Sequence, residues 1–225
     1  MDTSYETWWS EEDGGDLSME KDHEYAWPAT IDLLDPKDIL DKKILDFGCN
    51  RGVLLRKLYD RYPYEKAVGV DLARQSIAAA KENSQDYPIT FYIEDNIANL
   101  TETFHTAIST SVLYLIEDLN DHISKIHDLL LDGGVYYTSF TDQSKNPSLA
   151  YMKQEIDKYG AVKMQNHTLT QVVDCFLDHG FQVELIREHT GPHIDVSGYR
   201  RFHLSVDDYL QSMANSFMIK ARKIK

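Results

Sequence analysis

Apolar and polar positions along the chain fall into short runs of two kinds. Buried-strand runs are expected near 43–47, 66–70, 89–94, 105–110, 134–140, 181–187 and 216–222, each a few apolar or β-branched residues bounded by turn formers. Helical periodicity lies between them. Leu54, Leu55, Leu58 and Tyr59 recur at helical spacing, and Ile116, Leu119, Ile123, Ile126 and Leu130 form an apolar stripe at steps of three and four. Thr168 and Gln171 have the spacing of a capping box, and Val206–Met213 also reads as helix. Strands that alternate with helices predict an α/β domain with a doubly wound, mostly parallel sheet. Residues 26–225 make one such domain, and two stretches, 141–167 and 188–214, exceed what a minimal version needs.

The first strand runs into Asp46-Phe-Gly48-Cys-Asn50-Arg-Gly52, and the second, Ala67-Val-Gly-Val-Asp71, ends in a carboxylate. Gly48 and Gly52 permit tight turning and close backbone approach because they lack a Cβ. Asn50 stands where another glycine would fit, and asparagine tolerates left-handed backbone angles better than most residues. A helix follows, so free backbone N–H groups at its start face the turn. A carboxylate at Asp71 can accept two hydrogen bonds from a ribose diol. The run fails the dinucleotide pattern Gly-x-Gly-x-x-Gly/Ala at Asn50 and at Val53, and it lacks the Gly-Lys-Ser/Thr of a phosphate loop. A nicotinamide-dependent oxidoreductase is thereby disfavoured.

The turn resembles motif I of the class I S-adenosylmethionine-dependent methyltransferases, with Asn50 as the departure. Other segments extend the resemblance in order: Ile89–Asn96 as the third strand and its acidic turn, Phe104–Leu119 as the fourth strand and its loop, Leu129–Tyr137 as the approach to the fifth, His179–Ile186 as the sixth, and Phe217–Arg222 as the last. It implies a seven-stranded, Rossmann-like sheet whose last strand is antiparallel. It also implies methyl transfer from S-adenosylmethionine, with S-adenosylhomocysteine as product. By the same resemblance, Asp46, Gly48, Asn50 and Gly52 shape the methionine end of the site. Asp71 holds the ribose and Leu72 packs beside the adenine. Asp95 and Asn96 meet the adenine edge, and Ser111 and Tyr114 face the transfer point. The loop after the fourth strand reads Ser109-Thr-Ser-Val112, without the prolines of family members that methylate base nitrogens, which leaves small-molecule O, N or C acceptors.

Composition narrows the partners. The formal charge is −14, and no basic cluster precedes the tail at Lys220, Arg222, Lys223 and Lys225, so nucleic acid is not the expected substrate. Two cysteines fit neither a disulfide framework nor a zinc set. No apolar run is long enough to span a bilayer and no signal-peptide pattern opens the chain, so a cytoplasmic protein is expected. Residues 1–25 carry nine acidic side chains against Lys21 alone, together with Tyr5, Trp8, Trp9 and Tyr25. Such a segment is either a solvated strut or a lid over the ligand cleft.

Candidates for acceptor chemistry follow from position. Insertions near the carboxyl ends of the strands shape a substrate pocket; surface elaboration or a homodimer contact is the competing role. His193 is the expected acid–base or orienting group, since histidine exchanges a proton near neutral pH. Tyr114 and, from the segment before residue 26, Tyr25 are the other candidates. Gly191 and Pro192 break any helix between His189 and His193, so no metal site is expected. A non-catalytic sensor or subunit that binds S-adenosylmethionine or S-adenosylhomocysteine is the alternative function.

Overall fold

The computed structural model describes residues 26–94, 97–159 and 162–224. Seven strands form one sheet: β1 (Lys43–Phe47), β2 (Lys66–Asp71), β3 (Ile89–Ile93), β4 (Phe104–Ser109), β5 (Leu130–Thr141), β6 (Phe181–Arg187) and β7 (Ser216–Lys223). Their spatial order is β3-β2-β1-β4-β5-β7-β6. The first five are mutually parallel, and β7 runs antiparallel to both β5 and β6. The expected doubly wound sheet with an antiparallel last strand is therefore present.

Among the described residues the α-helices that flank them are α1 (Ala26–Asp32), α2 (Val53–Arg61), α3 (Arg74–Asn83), α4 (Leu119–Leu129), α5 (Leu149–Tyr159), α6 (Leu169–Asp178) and α7 (Val206–Ala214). The central strands are buried along most of their length because helices cover both sheet faces. Alternation then sorts neighbouring residues. Leu45 and Tyr136 enter the core shared with Ile123, Ile126 and Phe176, whereas Ile44 and Tyr137 enter the opposite core with Leu54, Leu58 and Ile77.

The apolar stripe of α4 buries Leu119, Ile123, Ile126 and Leu129. Its expected ends, Ile116 and Leu130, fall just outside the helix, in the preceding turn and in β5. The capping box of α6 is formed in both directions: the Gln171 N–H donates to Thr168 Oγ1 at 3.1 Å, and the Thr168 N–H donates to Gln171 Oε1 at 2.9 Å. Strand β5 begins earlier than its glycines suggest. Gly133 adopts φ 75°, and the β4–β5 register shifts between Phe104 and Thr106, so the strand carries an irregularity where a turn was expected.

An ion-pair cluster ties the segment before β1 to the sheet. Asp38, 7% exposed, accepts from Arg222 Nη2 at 3.0 and 3.1 Å and from the Tyr137 hydroxyl at 2.8 Å, with Lys220 Nζ at 3.2 Å. Burial opposes its charge, but the Arg222 and Tyr137 hydrogen bonds and the charges of Arg222 and Lys220 outweigh it, so the carboxyl sits below its ordinary range. No helix among the described residues is long and apolar enough to cross a membrane.

Candidate active site

Strand order reverses between β1 and β4, and in open α/β sheets the ligand crevice opens at the carboxyl ends of the strands beside such a reversal. The residues leaving β1 there form a tight turn. Gly48, Asn50 and Gly52 adopt φ values of 78°, 47° and 71°, so every second residue is left-handed. Asparagine thus does at position 50 what a glycine would do. The Gly48 and Cys49 N–H groups donate to Val70 O at 2.9 and 3.0 Å, which pins the turn to the end of β2. Gly52 caps α2.

Close approach explains the glycines. A Cβ on Gly48 would stand 2.5 Å from Val112 Cγ2, and one on Gly52 would stand 2.6 Å from the Phe91 ring. The loop after β4 and the third strand therefore both rest on the turn. Asp71, 6% exposed, closes it from β2: Oδ2 accepts from the Asn50 N–H and Oδ1 from the Ala73 N–H, each at 2.9 Å. A carboxylate offers about four lone-pair sites, so fixing the turn and holding a diol are compatible tasks. Leu72, beside it, is 38% exposed, an apolar surface at the rim of the crevice.

Asp46 is 2% exposed at the end of β1, and burial together with the nearby charge of Asp71 pushes its carboxyl up to about 8. Opposite Asp46 in β2 is Gly69, where a side chain would strike Phe91 and Cys49.

The loop after β4 supplies the other wall. Ser111 is exposed with φ 57°, and its N–H donates to Ser139 Oγ of β5 at 2.8 Å. Beneath it runs a buried chain, with His122 Nε2 3.0 Å from the Tyr136 hydroxyl, that hydroxyl 2.7 Å from Ser109 Oγ, and Ser109 Oγ 2.8 Å from Thr138 Oγ1. Burial, only partly offset by the charge of Asp121, holds the His122 ring down at about 4, so it stays neutral. Tyr114 is half-buried, and burial pushes its phenol up to about 12.

The earlier of the two extra stretches meets this wall. Gln165 donates its N–H to Tyr114 O at 2.8 Å, and His167 Nε2 lies 2.7 Å from Ile116 O. The later stretch is fastened to the earlier one instead: Ser212 Oγ lies 2.7 Å from His203 Nε2 and 3.0 Å from both Gln143 Oε1 and Asn146 Nδ2, and Tyr151 donates to Arg200 O at 3.3 Å. Gln165 and His167 thus hydrogen-bond the loop of Tyr114.

The structure thus gathers Asp46, Gly48, Asn50, Gly52, Asp71 and Leu72 around the turn after β1 and the end of β2, with the loop bearing Ser111 and Tyr114 beside it. His193 stands on the β6–α7 connection, where residues 189–198 are all exposed. Tyr25, Asp95 and Asn96, with the whole 1–25 segment, lie outside the described residues. Sequence reasoning missed Val112, Gln165 and His167. Their contacts run between segments far apart in the chain, and only the residue types were visible. Among the described residues no group of three or more His, Cys, Asp or Glu side chains is arranged to hold a metal ion.

A family model described as "Methyltransferase domain" matches residues 19–186. A malonyl-[acyl-carrier protein] O-methyltransferase of Acetivibrio thermocellus is 30% identical over 109 residues, covering 48% of this chain and 38% of that protein. A trans-aconitate 2-methyltransferase of Afipia carboxidovorans is 27% identical over 115 residues, covering 50% and 44%. The chain thus spans less than half the length of these curated relatives. Among solved structures, a methyltransferase in complex with the Haloferax volcanii Trm112 methyltransferase activator superposes with a TM-score of 0.75 at 15% identity, over 93% of this chain and 94% of that one. The left-handed turn, the carboxylate closing it and the matched domain together place the chain in the class I S-adenosylmethionine-dependent methyltransferase family.

Proposed function

We propose that the chain transfers a methyl group from S-adenosylmethionine to a small-molecule acceptor by in-line displacement. The observation that carries this reading is the contact of Val112 on Gly48, which sets the loop after β4 directly against the turn that Asp71 closes. One crevice then has a nucleoside-binding side and an acceptor side.

The donor, when bound, supplies a sulfonium-activated methyl group. The chain's task is mainly positioning, which can lower such a barrier by roughly 7–11 kcal/mol. Asp71 accepts from the ribose hydroxyls while it keeps the turn closed, and Leu72 covers one adenine face. Asp95 and Asn96 meet the adenine edge. Asp46, Gly48, Asn50 and Gly52 line the methionine end. Ser111 and Tyr114 bound the path of the acceptor.

Support for a small acceptor comes from two sources. The matched curated relatives include trans-aconitate 2-methyltransferases, beside enzymes named for malonyl-[acyl-carrier protein], ribosomal protein L11 and tRNA U34. The formal charge of −14 disfavours a nucleic-acid substrate. The test is incubation of the full chain with donor labelled in its methyl group and fractionated metabolite extract. A labelled small molecule, formed together with S-adenosylhomocysteine, is expected. Label appearing only in protein or RNA would refute the small-acceptor reading.

A further inference from the structure

We propose that His167 is the general base that takes the acceptor's proton, a role that rests on the methyl-transfer reading above. The ring's tautomer follows from its partner. Ile116 O can only accept, so His167 Nε2, 2.7 Å away, carries the hydrogen. In the neutral imidazole Nδ1 is then the acceptor nitrogen. A histidine whose one nitrogen is oriented by a backbone group while the other accepts a proton has the arrangement that base catalysis requires.

Its location is equally fixed. The chain on either side is held to the carboxyl ends of two adjacent strands. Gln165 N–H bonds Tyr114 O in the loop after β4, and Leu169 N–H donates to Asp142 Oδ2, just past β5, at 2.9 Å. The half-buried ring of His167 is thereby tethered near the β4 and β5 ends, the edge at which the acceptor is proposed to bind.

Competing groups are worse placed. Tyr114, with its phenol pushed up to about 12, does not accept a proton as phenolate at neutral pH. Glu188, which burial pushes up to about 7, follows β6. Two strand spacings separate β6 from β5 in the sheet order, so Glu188 lies on the order of 10 Å farther along the edge. His203 is bonded to Ser212 within the clip between the two extra stretches.

The step balances with the donor already proposed. The acceptor's X–H proton moves to Nδ1, and its freed electron pair forms the bond to the methyl carbon. The pair from the broken carbon–sulfur bond remains on sulfur, and the imidazolium returns its proton to water.

His167→Gln separates this role from a structural one, because the glutamine amide can keep the hydrogen bond to Ile116 O while offering no basic nitrogen. His167→Gln and His167→Ala are assayed with methyl-labelled donor and the metabolite extract that yields product with the wild-type chain. The expected result is a loss of at least about 100-fold in transfer rate for both. S-adenosylhomocysteine affinity should stay within about twofold of wild type in both, and added imidazole should partly restore His167→Ala. A His167→Gln variant within threefold of the wild-type rate would overturn the proposal. Independently of activity, nitrogen NMR of the histidine-labelled full chain should show His167 as the Nε2–H tautomer, and an Nδ1–H tautomer would overturn it as well. A wild-type chain that transfers no label anywhere would instead sink the methyl-transfer reading itself.

Discussion

Asp71→Asn is the substitution from which the site's construction can be read most cleanly. The two Asp71 oxygens accept from the Asn50 and Ala73 N–H groups, each at 2.9 Å. Asparagine keeps the shape of the side chain but replaces one oxygen with an NH2 group, so one backbone donor then faces a donor. A hydrogen bond to a charged group contributes about 1.5–3 kcal/mol. At roughly 2–4 °C per kcal/mol for a chain of this size, the melting temperature should fall by about 3–12 °C. If the same carboxylate also holds the ribose diol, S-adenosylhomocysteine affinity should drop by a similar free energy, roughly 10- to 150-fold. Calorimetric melting and isothermal titration on the same preparation measure the two effects separately. A lowered melting temperature with unchanged affinity would confine Asp71 to the turn and refute the ribose assignment. No change in either would refute the account of the turn as well.

Gly48→Ala places a methyl group 2.5 Å from Val112 Cγ2 at a left-handed position, so a loss of about 2–4 kcal/mol in chemical denaturation is expected. Adding Val112→Ala should recover part of it, and strict additivity of the two changes would contradict the contact. Asp46, with its carboxyl raised to about 8, holds a proton in the folded chain that the unfolded chain loses near pH 4. Its contribution to stability is full below about pH 4 and is lost as pH rises to about 8. Thermal melts of Asp46→Asn should therefore gain on wild type across that window, and a constant difference would refute the shift. Asp38→Ala leaves the buried Lys220 without its nearer carboxylate and the half-buried Arg222 without its hydrogen-bonded one, and should cost about 3 kcal/mol, with a measured cost below 1 kcal/mol counting against the cluster's importance. Because the Asp38 carboxyl sits low, its contribution is present above the unfolded value and should fade as the solution is acidified below about pH 4.

How much of this could be read from the chain depends on how local the cause is. Strand β2 was legible because five consecutive buried positions, Ala67 to Asp71, leave an uninterrupted apolar run ending in a carboxylate. The capping box at Thr168 was legible because both partners lie within one turn. Asn50 at a left-handed angle followed from its side chain's own preferences. The start of β5 was not, because Gly133 and Gly134 read as a turn while the pairing with β4 runs through them with a register shift. Between His167 and His193 the sequence offered no means of choice. Both are histidines in extra stretches, and what separates them is a carbonyl 51 residues away that binds one ring, while the other stands on an exposed connection.

Hydrogen–deuterium exchange of the full chain, with and without saturating S-adenosylhomocysteine, tests the placement of the cofactor crevice most directly. Amides of 47–53, 70–73 and 110–116 should exchange more slowly when the ligand is present, because they form the turn, its carboxylate clasp and the loop resting on it. The tail end of the sheet at β6 should not change. Protection confined to other parts of the chain, or none at all under saturating ligand, would contradict the assignment of the β1 turn and Asp71 as the methyl donor's site.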